Sequence, residues 1–334
     1  YASTCWVLKD DNMESWYTLV STCQRQGVDV MSAARMIAWA MELFEKGIID
    51  ETHTQGIQLL WGNKDAISQI INLIAENKGF GAVLAGNVVD AAAHIGKDVE
   101  EALNIKGVPL GGTNVMNFRA RTIGAVINPR GGDEYRGRMG SFDNMGSGKN
   151  TGMTGMAVPD SWESKTALDI IEKAKLASGQ TSAMDQHDPT ARGAVAALAN
   201  RYSIVSDSLG QCKWNTLFLN VGVSIEFQAK ALSAGLGKHV DIDDLLKIAS
   251  RISAQERFFS IRAGFTRDHD TLPKKLINYQ MPGSWPEDKV TPEELELMKE
   301  EFYESMGWDK ESGVPRDETL KALDLMDLVN KPKK

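Results

Sequence analysis

The stretch Met31-Ser32-Ala33-Ala34-Arg35-Met36-Ile37-Ala38-Trp39-Ala40-Met41-Glu42-Leu43-Phe44-Glu45-Lys46-Gly47 decides the fold class. Ala34, Ile37, Ala38, Met41 and Phe44 recur at steps of three and four, the period of one face of an α-helix, and Gly47 stands where a helix stops. The same period runs outward from it. A helix from Asn63 or Lys64 to Asn77 carries Ile67, Ile70, Ile71 and Ile74 on one stripe, with Gly79 as its stop. Helical stretches also fit Ala82 to Ile95, Ser164 to Ala177, Thr190 to Tyr202, Asn215 to Ala234, Asp241 to Phe259, Pro292 to Met306 and Asp317 to Val329. Strand signals are nearly absent, so the chain reads as all-α.

The exception is Gly107 to Pro159, rich in Gly, Asn, Met and Arg, with Gly pairs at Gly111-Gly112 and Gly131-Gly132. It is too polar to form a core alone, which leaves a linker or a loop lining a polar cavity, and the cavity is the reading carried forward. The chain then has three regions: a helical domain over 1–106, a Gly-rich cavity-lining segment over 107–159, and a second helical domain over 160–334. No repeat of fixed period occurs, which excludes a helical solenoid.

At 334 residues, with 42% hydrophobic and 25% charged residues, the chain has the length and composition of a globular protein with two cores. A net charge of -8, with basic residues scattered except at the terminal Lys331-Pro332-Lys333-Lys334, argues against a nucleic-acid partner. No run of about 18 apolar residues predicts a membrane span, and no signal-peptide pattern opens the chain. Three widely spaced cysteines, Cys5, Cys23 and Cys212, suit a reducing compartment, so a cytoplasmic location is expected. The chain opens at Tyr1 and reads as part of something longer.

Chemistry concentrates at Asp207-Ser208-Leu209-Gly210-Gln211-Cys212-Lys213. Leu209-Gly210 gives a turn whose backbone can approach a ligand, Asp207 offers a carboxylate to amine or amide donors, and Lys213 can offset a bound thiolate's charge. A packed structural cysteine is the competing reading of Cys212. An iron-sulfur cluster needs about four thiolates, more than this chain supplies. A second acidic turn is Gln24-Arg25-Gln26-Gly27-Val28-Asp29, where Asp29 reads either as a helix N-cap or as a partner of Asp207 in one site. Gly146-Ser147-Gly148-Lys149-Asn150 fails as a phosphate loop for want of the leading Gly, the Ser or Thr after Lys, and a preceding strand. The histidines His53, His94, His187, His239 and His269 show no metal-ligand spacing. His187 reads as a capped surface turn rather than a cavity wall, and Cys5 and Cys23 as packed residues.

Together with Arg262-Ala263-Gly264-Phe265-Thr266-Arg267 and Asp270-Thr271-Leu272-Pro273, the Asp207–Cys212 turn resembles the carboxyl-terminal half of the aldehyde:ferredoxin oxidoreductases, the tungsten-pterin enzymes. Trp61-Gly62-Asn63, Gly79-Phe80-Gly81, Lys106-Gly107, Gly307-Trp308-Asp309 and Gly313-Val314-Pro315 extend the resemblance along almost the whole chain. The resemblance implies helical domains 2 and 3, with the family's amino-terminal β domain missing here. It implies a tungstopterin, a bis-molybdopterin with tungsten or molybdenum, held by Gly27, Asp29, Asp207, Leu209 and Gly210. Gln24 departs from the family's Asp at the first position of its turn.

The resemblance further makes Cys212 the fourth ligand of a [4Fe-4S] cluster whose other cysteines lie in an upstream Cys-x-x-Cys-x-x-x-Cys run absent from this sequence. Pro129-Arg130-Gly131-Gly132-Asp133-Glu134 resembles the family's Pro-Arg-Gly-Ala-Asp-His, which puts Glu134 in the catalytic position of a histidine. A carboxylate there can handle a proton but offers no neutral N–H donor, so substrate or reaction can differ. Arg130 and Arg136 are suited to pterin phosphates, Arg136 being the one placed in the site. Arg262 and Arg267 are left outside it, since salt bridges between helices explain them as well. The activity implied is oxidation of an aldehyde to a carboxylic acid, with electrons passing to ferredoxin or an iron-sulfur electron-transfer subunit, in a homo-oligomer or larger complex. The alternatives are a reductive member acting on an acid or an acyl or aryl coenzyme A thioester, like class II benzoyl-coenzyme A reductase, and a non-catalytic helical assembly subunit.

Overall fold

The computed structural model describes residues 6–10, 12–96, 99, 102–111, 115–133, 162–177, 187–213, 223–280 and 286–328. Among these the protein is mainly helical, with one two-stranded antiparallel sheet. It divides into two compact units, residues 1–114 with 130–133, and residues 115–129 with 134–334.

The first unit is built around α2 (Val30–Glu45), the helix of the opening stretch. Ala34, Ile37, Ala40 and Met41 are wholly buried, and Met36, Trp39 and Leu43 nearly so, which makes α2 the unit's central helix rather than a surface one. Against the same core pack Leu19 and Cys23 of α1 (Met13–Gln26), Ile67, Ile70 and Ile71 of α3 (Lys64–Glu76), Phe80 and Leu84 of α4 (Gly79–Leu84), and Val88 and Ala91 of α5 (Val88–Ile95). Each buried Ile contributes about 2 kcal/mol of transfer free energy. Asn63 caps α3, and left-handed Asn77 ends it. The helix read over 82–95 is broken in two, because the Asn87 side chain accepts from Val89 N at 2.8 Å and starts α5 afresh. The apolar period of the sequence gives no sign of α1. Two strands, β1 (Asn104–Ile105) and β2 (Val108–Pro109), pair with Ile105 opposite Val108.

The second unit centres on α8 (Arg192–Ser208), with α6 (Arg119–Ile127), α7 (Trp162–Ala177), α9 (Ile225–Leu236), α10 (Ile242–Arg262), α11 (Pro292–Ser305) and α12 (Asp317–Ala322) completing it. α8 and α11 pack closely: a Cβ on Gly193 would lie 2.1 Å from the Met298 carbonyl oxygen. Ala191 has no side chain to cap α8, and Glu301 of α11 does so instead, accepting from Ala191 N at 2.8 Å and Gly193 N at 3.0 Å. Burial raises the Glu301 pKa, an effect those two N–H groups oppose. α6 lies within the Gly-rich stretch read as loop; every residue of it is buried, including Arg119, which donates to the carbonyls of Met116, Glu287 and Lys289.

The carboxyl-terminal motif serves the core. Arg257 pairs with the fully buried Asp270 at 2.8 Å and donates to Gly313 O, while Tyr303 donates to Asp270 at 2.6 Å. Burial first, and then the Asp270 charge, push the Tyr303 pKa up. Arg267 pairs with Glu296 at 2.7 Å and Arg262 donates to Leu328 O, so both arginines hold elements together. His187 corrects the surface-turn reading: its side chain is largely buried and pairs with Asp288, 101 residues away, at 3.0 Å. The sequence spacing gave no sign of that partner.

Candidate cofactor site

The predicted site residues that are described fall on two turns, one in each unit. In the first unit, α1 ends in a glycine cap: Gly27 takes φ 69°, and Val28 N donates back to Cys23 O at 2.9 Å. Asp29 then starts α2, its Oδ2 accepting from Ser32 N at 2.7 Å, so the N-cap reading holds. Its Oδ1 makes no hydrogen bond among the described residues. Cys23 lies buried beneath this turn, and burial, together with the Asp29 charge, pushes its thiol up to about 11.

Gly27, Asp29 and Ser32 line a cleft of about 560 Å³, the size of a small-molecule site. Asn87 and the hairpin turn Lys106-Gly107 line it too. Gly107 is held there by Asn104 Oδ1, which accepts from its N–H at 3.0 Å, and by Val88 N, which donates to its carbonyl at 3.2 Å. Asp29, Ser32, Asn87 and Lys106 thus line the cleft together with apolar residues that include Met36, Ile74 and Leu84. The sequence marked Lys106-Gly107 only as a turn, and it did not single out Asn87.

In the second unit, α8 closes at Leu209 and Gly210. Gly210 takes φ 68°, its N–H donates to Asp207 O at 3.1 Å, and Gln211 N donates to Ser206 O at 2.9 Å. Leu209 packs on the cluster of Tyr202, Ile204 and Val205, which seats the turn. A Cβ on Gly210 would meet nothing within 4 Å, so glycine is required there for conformation and not for space. Cys212 is exposed and in no disulfide. Lys213 is buried, and its ammonium reaches back to Asp207 at 3.0 Å. The lysine that the sequence offered as counter-charge to a thiolate is therefore engaged with the carboxylate.

The structure brings Gly27 and Asp29 together in one cleft, and Asp207, Leu209, Gly210 and Cys212 together in one turn. Glu134 and Arg136 lie outside the described residues. Arg130 forms an ion pair with Asp133 within its own turn. Gln24 is exposed on the last turn of α1 and is not among the residues lining the cleft. Among the described residues, no group of three or more His, Cys, Asp or Glu side chains is placed to hold a metal ion, and no helix is long and apolar enough to cross a membrane.

The family model described as aldehyde ferredoxin oxidoreductase, domains 2 and 3, matches residues 3–325. The tungsten-containing aldehyde ferredoxin oxidoreductase of Pyrococcus furiosus is 27% identical over 299 residues, covering 88% of this chain and 43% of the relative. That of Thermococcus kodakarensis is 26% identical over 298 residues, with the same coverage of both chains. The chain therefore spans less than half the length of these relatives. In fold it is similar to the active-site complex BamBC of benzoyl coenzyme A reductase bound to 1,5-dienoyl-CoA, with a TM-score of 0.71, 20% identity, and 99% of this chain and 49% of that one covered. With the matched model covering nearly its whole length, the chain belongs to the aldehyde ferredoxin oxidoreductase family and carries that family's domains 2 and 3.

Proposed function

We propose that the chain is the helical part of a tungsten or molybdenum bis-pterin oxidoreductase. In this reading the enzyme oxidises an aldehyde to a carboxylic acid and passes two electrons through a [4Fe-4S] cluster to ferredoxin or a partner subunit. The balance is aldehyde plus water giving acid, two protons and two electrons. The observation that carries the reading is the Asp207–Lys213 turn, a glycine-closed helix end that leaves a thiol exposed just beyond the helix's last backbone bonds, with the Asp207 carboxylate held by Lys213.

The residues fit the groups the family uses. In the first unit, Asp29 retains one carboxylate oxygen with no hydrogen bond among the described residues, an acceptor suited to the amine and amide edge of a pterin. Asp207 offers the corresponding carboxylate in the second unit, and Gly27, Leu209 and Gly210 keep main chain close at each turn. Cys212 supplies one cluster thiolate. Cys23, fully buried with its thiol pushed up to about 11, has the opposite character of a ligand, so of about four cluster thiolates at least two come from outside this chain's three cysteines. When bound, the metal–pterin supplies two-electron oxygen-transfer chemistry. Glu134 would accept the proton released as water adds to the aldehyde carbon, and Arg136 would neutralise pterin phosphate.

Glu134 in place of histidine keeps a second reading in play, reduction of an acid or of an acyl or aryl coenzyme A thioester by the same cofactors. Anaerobic assay of the full-length protein separates the two. Aldehyde-dependent reduction of a viologen dye supports the first, and oxidation of reduced viologen that depends on a thioester supports the second. Activity in neither direction from a metal-loaded preparation contradicts both and leaves a helical assembly subunit.

A further inference from the structure

Two residues that line the cleft of the first unit are helix caps, and each spends only one of its polar atoms on its helix. Asp29 caps α2 with Oδ2, which accepts from Ser32 N at 2.7 Å, while its Oδ1 makes no hydrogen bond among the described residues. Asn87 caps α5 with Oδ1, which accepts from Val89 N at 2.8 Å. Only the amide oxygen can accept from an N–H group, so the cap fixes which way round the amide lies. Nδ2, with its two N–H donors, is left over and donates to nothing among the described residues. The Asn87 side chain lies against the hairpin turn, since a Cβ on Gly107 would come within 2.7 Å of Nδ2. Val88 N ties that turn to the start of α5 by donating to Gly107 O at 3.2 Å, which keeps Asn87 at the cleft.

We propose that Asn87 is a ligand-binding residue of this cleft and sets its specificity, with Nδ2 donating to a carbonyl oxygen or ring nitrogen of the molecule whose amino or N–H group donates to Asp29. The two caps leave one acceptor and one donor on a cleft of about 560 Å³ whose lining includes Met36, Ile74 and Leu84. That set matches a flat ring carrying an amino donor and a carbonyl acceptor, with apolar residues for its faces. Each cap holds its side chain in place before anything binds, which lowers the ordering cost of binding. A carboxylate alone takes any amine. The added donor discriminates against a ring that lacks the acceptor, because the amide is then covered without a partner. This role rests on the pterin proposed for the cleft and adds to it a residue of the first unit.

The test uses the full-length protein purified without oxygen and its variants Asn87→Ser, Asn87→Asp and Asp29→Asn. Ser and Asp both keep a capping oxygen at the start of α5, and both lack the amide donor. Pterin per chain, and the rate at which pterin leaves the native protein during anaerobic dialysis, are read from its fluorescence after oxidation, beside the urea midpoint. In both Asn87 variants the midpoint stays at the parent value while pterin leaves about five- to tenfold faster, the loss of one hydrogen bond. Asn87→Asp is the faster of the two, because its carboxylate meets an acceptor. A midpoint that falls in step with pterin loss in both variants makes Asn87 structural and overturns the binding role. Parent-like retention in both, with faster loss from Asp29→Asn, also overturns it and leaves the pterin in the cleft. Parent-like retention in all three overturns the cleft as the pterin site, and a parent protein without pterin overturns the proposed function; the role of Asn87 falls with either.

Discussion

Gly27 in the first unit and Gly210 in the second end α1 and α8 with φ of 69° and 68°, and neither has an atom within 4 Å that would oppose a Cβ. The backbone device is the same, and the use made of it differs. After Gly27 the chain turns at once into α2, so the carboxylate at Asp29 caps a helix, and the nearby thiol of Cys23 is buried and kept protonated. After Gly210 the described chain, as far as Lys213, starts no α-helix; the carboxylate at Asp207 precedes the glycine, and the thiol of Cys212 reaches solvent. The two cysteines stand on opposite sides of their glycines: Cys23 lies on the helix before Gly27 and is buried, and Cys212 lies beyond Gly210 and is exposed.

The largest contrast lies between the two thiols. At pH 8 and in the absence of cluster, exposed Cys212 reacts with iodoacetamide in the native protein. Cys23, its thiol pushed up to about 11, forms about 100-fold less thiolate folded than unfolded and reacts more slowly by at least that factor until urea unfolds the protein. The same shift carries a sign. The folded state holds the Cys23 proton more tightly than the unfolded chain, so stability is complete below about 9 and declines as pH rises through about 11. Equal alkylation rates of the two cysteines in the native protein would erase the contrast.

A smaller effect separates the two carboxylates. Asp207→Ala leaves the buried ammonium of Lys213 without the carboxylate at 3.0 Å and costs about 2 kcal/mol in urea unfolding. The double variant Asp207→Ala with Lys213→Met recovers most of that loss, because an apolar side chain of similar length needs no partner. Additive losses would show that the pair is not coupled. Asp29→Asn is the smallest change: Asn caps as well as Asp, so stability moves by a few tenths of a kcal/mol. The pterin recovered per chain falls, because a charged acceptor is lost. A drop of more than about 1 kcal/mol would mean that Asp29 serves the fold and not the cleft.

Much of this was legible in the sequence. α2 and α3 came from apolar period and stop residues, and the Asp207–Cys212 turn from its glycine and the order of its polar residues. α1 escaped notice because it buries only Leu19 and Cys23, while its other apolar residues are half-buried, as Trp16 and Val20 are, or exposed, as Met13 and Tyr17 are, and blur the stripe. α6 escaped for the opposite reason: buried on every side, Arg119 and Arg121 included, it has no stripe to read and sits among glycines. The split of 82–95 depended on one side-chain cap at Asn87. The engagement of Lys213 by Asp207 and of His187 by Asp288 is created when the chain closes on itself, and residue spacing alone does not encode either.

The most direct test is the metal and iron content of the full-length protein purified without oxygen, beside its Cys212→Ala variant. The account predicts near one tungsten or molybdenum and about four iron per chain, with the iron lost and the fold kept in the variant. Iron retained in Cys212→Ala, or neither metal nor iron in the parent, would contradict it.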